Sequence, residues 1–146
     1  MSAPARARRL GDHPVYRIKA SDTNRFAILT DPLGDGVSFI SVIEIFDVGG
    51  ATPPNVHKRA DELFFVLHGE GVALCDGAEV ALRAGDSCLV RAGTGHVVRN
   101  TGDTRLYCIS TMVPDEDFAD LIRRGTQERL DAQDLRILGT RDLPIR

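Results

Sequence analysis

Between residues 25 and 112, short apolar segments alternate with polar or glycine-rich turns. The apolar segments are rich in β-branched and aromatic side chains, which are typical of β-strands, and the turn residues between them end each strand. The predicted strands cover residues 26–29, 37–48, 63–67, 72–75, 79–82, 87–90, 96–100 and 106–112. Seven or eight short strands of this kind predict an all-β sandwich or barrel. The strongest local signal is Asp76-Gly77, a pair favoured in two-residue type I′ hairpin turns.

After Pro114 the apolar residues change from strand-like to helix-like spacing. Phe118, Leu121 and Ile122 predict one short amphipathic helix, which Gly125 ends. A second short helix is predicted from Asp131 as N-cap to residue 139. The acidic residues at positions 115–120 are interpreted as a solvated helix face whose negative charges are stabilised by the positive end of the helix dipole.

These patterns predict one domain with three parts. Residues 1–24 form an N-terminal arm that is partly flexible, residues 25–112 form the β-barrel, and residues 113–146 form a C-terminal helical extension that packs on the barrel. A chain of 146 residues is long enough to enclose one hydrophobic core.

Charge and composition narrow the classes of partner. The chain has 18 Lys and Arg against 21 Asp and Glu, a net charge of −3, which argues against a nucleic-acid or membrane partner. No apolar run approaches the roughly 20 residues that a membrane-spanning helix needs, so we expect a cytoplasmic protein. The three cysteines are scattered along apolar segments and form neither a disulfide framework nor a zinc spacing.

The residues with the strongest chemical interest lie in two segments of the predicted barrel. Asn55 and His57 are two positions apart, so on an extended strand their side chains share one face. Glu62 begins a strongly apolar strand, where an unpaired carboxylate would be very costly, and the polar residues 58–61 allow a turn that aims it at the same interior. His96 follows a Gly-Thr-Gly turn and begins another strand. Two imidazoles and one carboxylate that converge in an apolar barrel suit a divalent transition metal.

These two segments resemble the two signature motifs of the cupin superfamily, at matching spacing throughout. The first motif is matched by Gly49, Asn55, His57, Glu62 and Gly69. The second is matched by Gly85, Arg91, Gly93, His96 and Asn100. The resemblance implies a double-stranded β-helix, or jelly-roll barrel, with one or two short C-terminal helices, and a metal held by His57, Glu62, His96 and Asn55.

The sequence departs from the family pattern at two positions. Arg91 replaces a turn proline, which affects local rigidity more than chemistry. Asn55 occupies the place of the first histidine ligand, and an amide oxygen is a weak, neutral ligand that suits Fe(II) or Mn(II) better than Zn(II). The predicted site is therefore a triad of two histidines and one carboxylate, in which Asn55 either coordinates loosely or binds a metal-bound water.

The leading hypothesis from the resemblance is a metal-binding cupin enzyme that acts on a small organic molecule, dioxygenase-like and with Fe(II) as the preferred metal. Mn, Ni or Zn are alternatives, and the same site would also suit isomerase, lyase or decarboxylase chemistry. The rival hypothesis is a non-catalytic cupin that binds a small ligand in its barrel. Small cupins of this kind commonly form homodimers, and the apolar run at residues 37–46 would suit an intersubunit sheet.

Overall fold

The structure is a computed structural model that describes residues 4–139. Within this range the chain forms ten β-strands and three short α-helices, after a single 3₁₀ turn at Leu10–Asp12. The strands are β1 (Val15–Arg17), β2 (Asn24–Thr30), β3 (Ile40–Phe46), β4 (Asp61–His68), β5 (Glu70–Cys75), β6 (Ala78–Arg83), β7 (Ser87–Val90), β8 (His96–Asn100), β9 (Leu106–Val113) and β10 (Thr126–Glu128). The helices are α1 (Pro32–Asp35), α2 (Phe118–Arg123) and α3 (Ala132–Leu138).

The strands form two antiparallel sheets that enclose the core. The larger sheet has the strand order β10-β1-β2-β3-β9-β4-β7, and the smaller has the order β6-β5-β8. Inward-facing residues of both sheets meet in one apolar cluster that includes Phe46, Phe64, Val66, Val98 and Leu106. This arrangement confirms the predicted all-β jelly-roll barrel with short helices after it.

The predicted strands and the tight turn are all present. In the β5–β6 hairpin, Asp76 and Gly77 have φ angles of 46° and 83°. Positive φ at both central positions is the mark of a type I′ turn, so that prediction is confirmed. β4 shows why the strands were readable, since its residues alternate between exposed and buried positions from Asp61 to Val66.

Two short strands were not predicted. β1 lies between β2 and β10 in the larger sheet, and Val15 is buried there. The segment predicted as an N-terminal arm, residues 1–24, therefore contributes a strand to the barrel. Three-residue strands are too short to display an alternating pattern, and they form here because the sheet edge supplies their hydrogen bonds. Residues 1–3 and 140–146, which belong to the predicted arm and extension, lie outside the described residues.

The two predicted C-terminal helices are both present and pack against the large sheet. Ile122 of α2 is buried beside Phe26, and Asp131 caps α3 with a reciprocal capping box to Asp134. None of the helices among residues 4–139 is long and apolar enough to cross a membrane.

The apolar run that suggested an intersubunit sheet is buried within one chain. β3 pairs with β2 on one side and with β9 on the other, so neither of its edges is open. Its side chains pack on both faces of the sheet, with Val42 in one apolar cluster and Ile43 in another. The homodimer stays a prediction, but burial of this run does not require a second subunit.

Candidate metal centre

The three residues predicted as metal ligands meet at one point inside the barrel. His57 lies in the loop before β4, Glu62 is the second residue of β4, and His96 begins β8. Glu62 Oε1 lies 3.0 Å from His57 Nε2 and 3.2 Å from His96 Nε2. One ligand atom from each of the three residues lies within 4.8 Å of the other two, a spacing at which a single ion can contact all of them.

The loop at residues 57–60 allows His57 and Glu62 to face the same side of the barrel although they are five residues apart. Residues five apart on a straight strand would face opposite sides, but here the chain turns before β4 begins at Asp61. The carboxylate of Glu116 holds this turn by accepting hydrogen bonds from the backbone N–H groups of Lys58, Arg59 and Ala60. The turn therefore carries His57 round to the face that Glu62 occupies.

Glu62 is a buried carboxylate with three hydrogen-bonding neighbours. Besides the two imidazoles, the hydroxyl of Ser110 on β9 donates to its second oxygen at 2.5 Å. Burial by itself would raise the pKa of Glu62, but the hydrogen bonds from His57, His96 and Ser110 outweigh it and lower the pKa to about 2. Glu62 is thus held ionised inside an apolar barrel, which is the state that a metal ligand needs.

The contacts of His96 require a proton or a metal ion between its Nε2 and the Glu62 carboxylate. Its Nδ1 lies 3.0 Å from the carbonyl oxygen of Thr94, which only accepts hydrogen bonds, so Nδ1 must carry a proton. In the neutral ring, Nε2 then presents a lone pair to a carboxylate oxygen 3.2 Å away. Either a proton or a metal ion must lie between these two atoms. Burial lowers the pKa of His96, but the hydrogen bond to Glu62 outweighs it and the net shift is upward. The donor set and its orientation therefore fit a divalent metal, with Thr94 as the group that fixes the tautomer.

Asn55 lies beside the triad, at the place predicted for a fourth ligand. Its backbone pairs with that of His96 through two hydrogen bonds, of 3.1 and 2.9 Å. Directly paired residues of antiparallel segments present their side chains to the same face. Asn55 lines the cavity of the triad, and its Nδ2 donates to the carbonyl of Pro53. Its Oδ1 is buried and has no hydrogen-bond partner among residues 4–139. The free Oδ1 makes Asn55 a candidate weak ligand.

Replacing Asn55 with His is expected to tighten metal binding by roughly tenfold or more, because an imidazole is a stronger ligand than an amide oxygen. Isothermal titration of wild type and Asn55→His with Mn(II) and Zn(II) measures the change. Pro54→His, next along the chain, is the control for a histidine added to this segment. Equal affinities for wild type and Asn55→His would show that position 55 does not face the metal.

The triad forms part of the wall of a cavity of about 440 Å³. The lining also includes three aromatic side chains, Phe26, Phe64 and Phe118. Phe118 of α2 packs edge-on against Phe26, with ring centroids 5.5 Å apart. The C-terminal helix α2 therefore forms part of the cavity wall as well as packing on the outside of the barrel.

Among the polar residues of this cavity that the sequence did not single out are Glu116, Asn24 and Glu44. Glu116 had been assigned with its neighbours to a solvated helix face, and the structure corrects this, since Glu116 lines the cavity and binds the loop that carries His57. Asn24 and Glu44 are buried side chains of β2 and β3 that also line the cavity. Glu44 carried a usable signal, because it is the one charged residue in the long apolar run at residues 37–46.

Glu116→Ala is expected to weaken metal binding by about 10–100-fold, the usual effect of losing a group that orients a ligand. Glu116 Oε2 lies 3.9 Å from His57 Nδ1 and also holds the turn that presents His57. Metal titration of Glu116→Ala beside Asp120→Ala, an exposed acidic residue of α2, measures the effect. The predicted role of Glu116 is wrong if both variants bind metal as wild type does.

The fold and the motif geometry define the class of this protein. Residues 42–112 match the family model described as Cupin domain, and the strand arrangement around the His57–Glu62–His96 cluster is that of a cupin barrel. The chain therefore carries a cupin domain over residues 42–112, which confirms the resemblance seen in its motifs.

Individual relatives are similar over part of their length. An oxalate-binding protein of Thermotoga maritima is 32% identical over 65 residues, which are 44% of this chain and 54% of that protein. An uncharacterised protein of Methanocaldococcus jannaschii is 25% identical over 76 residues, which are 52% of this chain and 61% of that protein. The chain thus spans less than two thirds of the length of each of these two relatives.

Solved structures agree on the fold. The crystal structure of a predicted oxalate decarboxylase from Thermotoga maritima is similar with a TM-score of 0.57 and 26% identity, over 61% of this chain and 78% of that one. The cupin domain of Schizosaccharomyces pombe Cnp3 is similar with a TM-score of 0.58 over 70% of this chain and 74% of that one. At 18% identity the second likeness concerns the fold alone.

Proposed function

We propose that this protein is a metal-dependent cupin enzyme that acts on a small organic molecule in its barrel. The metal would be a divalent transition ion, with Fe(II) preferred, held by His57, Glu62 and His96. The observation that carries the proposal is the convergence of these three ligand atoms within 4.8 Å, in the wall of a cavity large enough for a small substrate.

Two neutral imidazoles and one carboxylate form the donor set of the non-haem Fe(II) oxygenases, which leaves coordination positions open. A metal ion at this site would supply Lewis-acid and, in the case of iron, redox chemistry. The chain itself holds the ligands in place, through Ser110 on Glu62 and Thr94 on His96. The Phe26 and Phe118 rings, which pack edge-on, would offer apolar contacts to a bound substrate.

A first experiment separates the enzyme from a cupin that only binds a ligand. Untagged protein is analysed for its metal content, and the metal-free protein is titrated with Fe(II) under anaerobic conditions and with Mn(II), Ni(II) and Zn(II). We expect one tight site per chain. Absence of bound metal together with no measurable binding of any of the four ions would contradict the proposal.

A second experiment separates dioxygenase chemistry from isomerase, lyase or decarboxylase chemistry at the same site. Nitric oxide, which binds where dioxygen would, is added to the Fe(II) protein and followed by electron paramagnetic resonance. A dioxygenase-like site must leave a position open to nitric oxide. If Fe(II) binds but nitric oxide does not, the redox assignment fails and Lewis-acid chemistry becomes the better one.

A further inference from the structure

A second pair of polar side chains lies in the wall of the same cavity, apart from the metal triad. Asn24 and Glu44 lie on the neighbouring strands β2 and β3, and they are only 2% and 3% exposed. Asn24 Nδ2 donates a hydrogen bond of 2.7 Å to Glu44 Oε2. Both residues line the cavity, and neither belongs to the set of predicted ligands.

Asn24 presents an acceptor that the protein does not satisfy. Its Oδ1 is buried and has no hydrogen-bond partner within the described part of the chain. Nearly all buried polar atoms of native proteins are paired, and an unpaired one is costly. Asn24 also lines the cavity, so a molecule bound there can supply the partner that this oxygen lacks within residues 4–139.

Glu44 adds a second hydrogen-bonding group beside Asn24. Burial and the nearby charge of Glu62 raise the pKa of Glu44 to about 8. When it carries its proton, a carboxyl both donates and accepts hydrogen bonds. The pair is therefore equipped for a hydroxyl or an amine and does not offer a fixed positive charge.

The charges around the cavity also argue against an anionic ligand. Among the described side chains that line it, one is a lysine, Lys19, and none is an arginine. The acidic lining residues are Asp22, Glu44, Glu62, Glu116 and Asp117. A small dianion such as oxalate would find almost no basic partner beyond the metal itself, because carboxylate recognition relies on Arg and Lys.

We propose that Asn24 and Glu44 form a recognition subsite for the hydrogen-bond-donating head group, a hydroxyl or an amine, of a substrate with an apolar body. That body contacts the aromatic side chains that line the cavity, Phe26, Phe64 and Phe118. That the bound molecule is a substrate rests on the function proposed above, whereas the binding preference does not depend on that function. We expect this protein to bind oxalate poorly.

The test uses probes that share a benzyl or phenyl body and differ in the head group. Benzyl alcohol and benzylamine carry donors, benzyl methyl ether has no donor, and benzoate and oxalate are anions. Binding is measured by ligand-observed NMR on Mn(II)-loaded protein and on protein kept metal-free with a chelator. We expect benzyl alcohol to bind about tenfold more tightly than benzyl methyl ether in both forms. Benzylamine is a cation at neutral pH, so its affinity reports in addition the contribution of the acidic lining.

Variants locate the preference. Asn24→Leu removes the free acceptor and is expected to reduce the tenfold ratio to near one, whereas Glu44→Gln keeps a neutral hydrogen-bonding group and retains it. Leu121→Ala is the matched control, because it trims the apolar wall and should weaken all benzyl probes alike without changing the ratio. Thermal melting shows whether each variant is folded. The ranking of the probes by their affinity for the wild-type protein tests the inference even if a variant does not fold.

The inference is overturned if the ether binds as well as the alcohol and the amine, or if benzoate or oxalate binds most tightly to the metal-free protein. The separate metal titration tests the proposed function. Metal binding without the head-group preference would defeat the subsite alone, and the preference without metal binding would defeat the proposed enzyme alone.

Discussion

Glu62→Gln is expected to weaken the binding of divalent metal by at least about 100-fold, since loss of an outer-shell partner already costs 10–100-fold. The substitution keeps the shape of the side chain and removes the charge that both imidazoles face. It also leaves the Ser110 hydroxyl without the carboxylate to which it now donates. Titration calorimetry with Mn(II) or Fe(II) gives the affinity of each protein.

The matched control is Glu79→Gln on β6, an exposed carboxylate of the smaller sheet. It makes the same chemical change away from the cavity and should leave the affinity unchanged. A Glu62→Gln protein that is folded and binds metal as tightly as the control does would remove Glu62 from the ligand set.

Asp134→Ala is expected to lower the free energy of unfolding by about 3–5 kcal/mol, the usual cost of removing one partner from a buried ion pair. Asp134 of α3 is fully buried and accepts two hydrogen bonds from Arg25, of 2.6 and 2.8 Å. The Tyr107 hydroxyl also donates to it at 2.8 Å. The substitution leaves the Arg25 guanidinium, which is 4% exposed, without its carboxylate.

Urea unfolding followed by circular dichroism measures this loss. Asp103→Ala is the control, since Asp103 is exposed in the turn before β9 and should change stability by less than about 0.5 kcal/mol. A similarly small effect for Asp134→Ala would mean that α3 contributes little to the stability of the barrel.

Asp134 also predicts how stability depends on pH. Burial would raise the pKa of Asp134, but the hydrogen bonds from Arg25 and its other donors lower it to about 2, against an ordinary value of 3.8. Because the folded state binds this proton less readily than the unfolded state, the stabilisation is complete above 3.8 and is lost as the pH falls towards 2. Stability measured between pH 6 and 2 should fall less steeply in Asp134→Asn than in the wild type.

The β-strands and the principal site were readable from local pattern because they obey short-range rules. Alternation along β4, the Asp76-Gly77 turn and the Asp131 cap each depend on only a few neighbouring residues. The short strands β1 and β10 depend instead on each other, across more than a hundred residues of sequence. No local pattern encodes such a pair, so the sequence did not predict it.

The candidate metal centre shows the same difference between features that follow from local sequence and features that depend on distant segments. The spacing of His57, Glu62 and His96 was enough to predict that they come together, because the cupin motifs tie each of them to a strand or a turn. The groups that orient them were not predictable in this way. Ser110, Glu116 and the Asn24–Glu44 pair reach the cavity from β9, from the segment before α2 and from β2 and β3, and their roles follow from how these segments meet.

The amino-acid sequence by itself thus determined the barrel class, the order of most strands and the three candidate ligands with the unusual Asn55 beside them. These features depend on periodicity and fixed spacing, which a linear chain displays directly. Only the tertiary structure decided that Glu62 is held ionised, that Oδ1 of Asn24 and of Asn55 lack hydrogen-bond partners within the described residues, and that the cavity is acidic and apolar rather than basic. Burial, pairing and charge are properties of groups distant in sequence, and they exist only once the two sheets close around them.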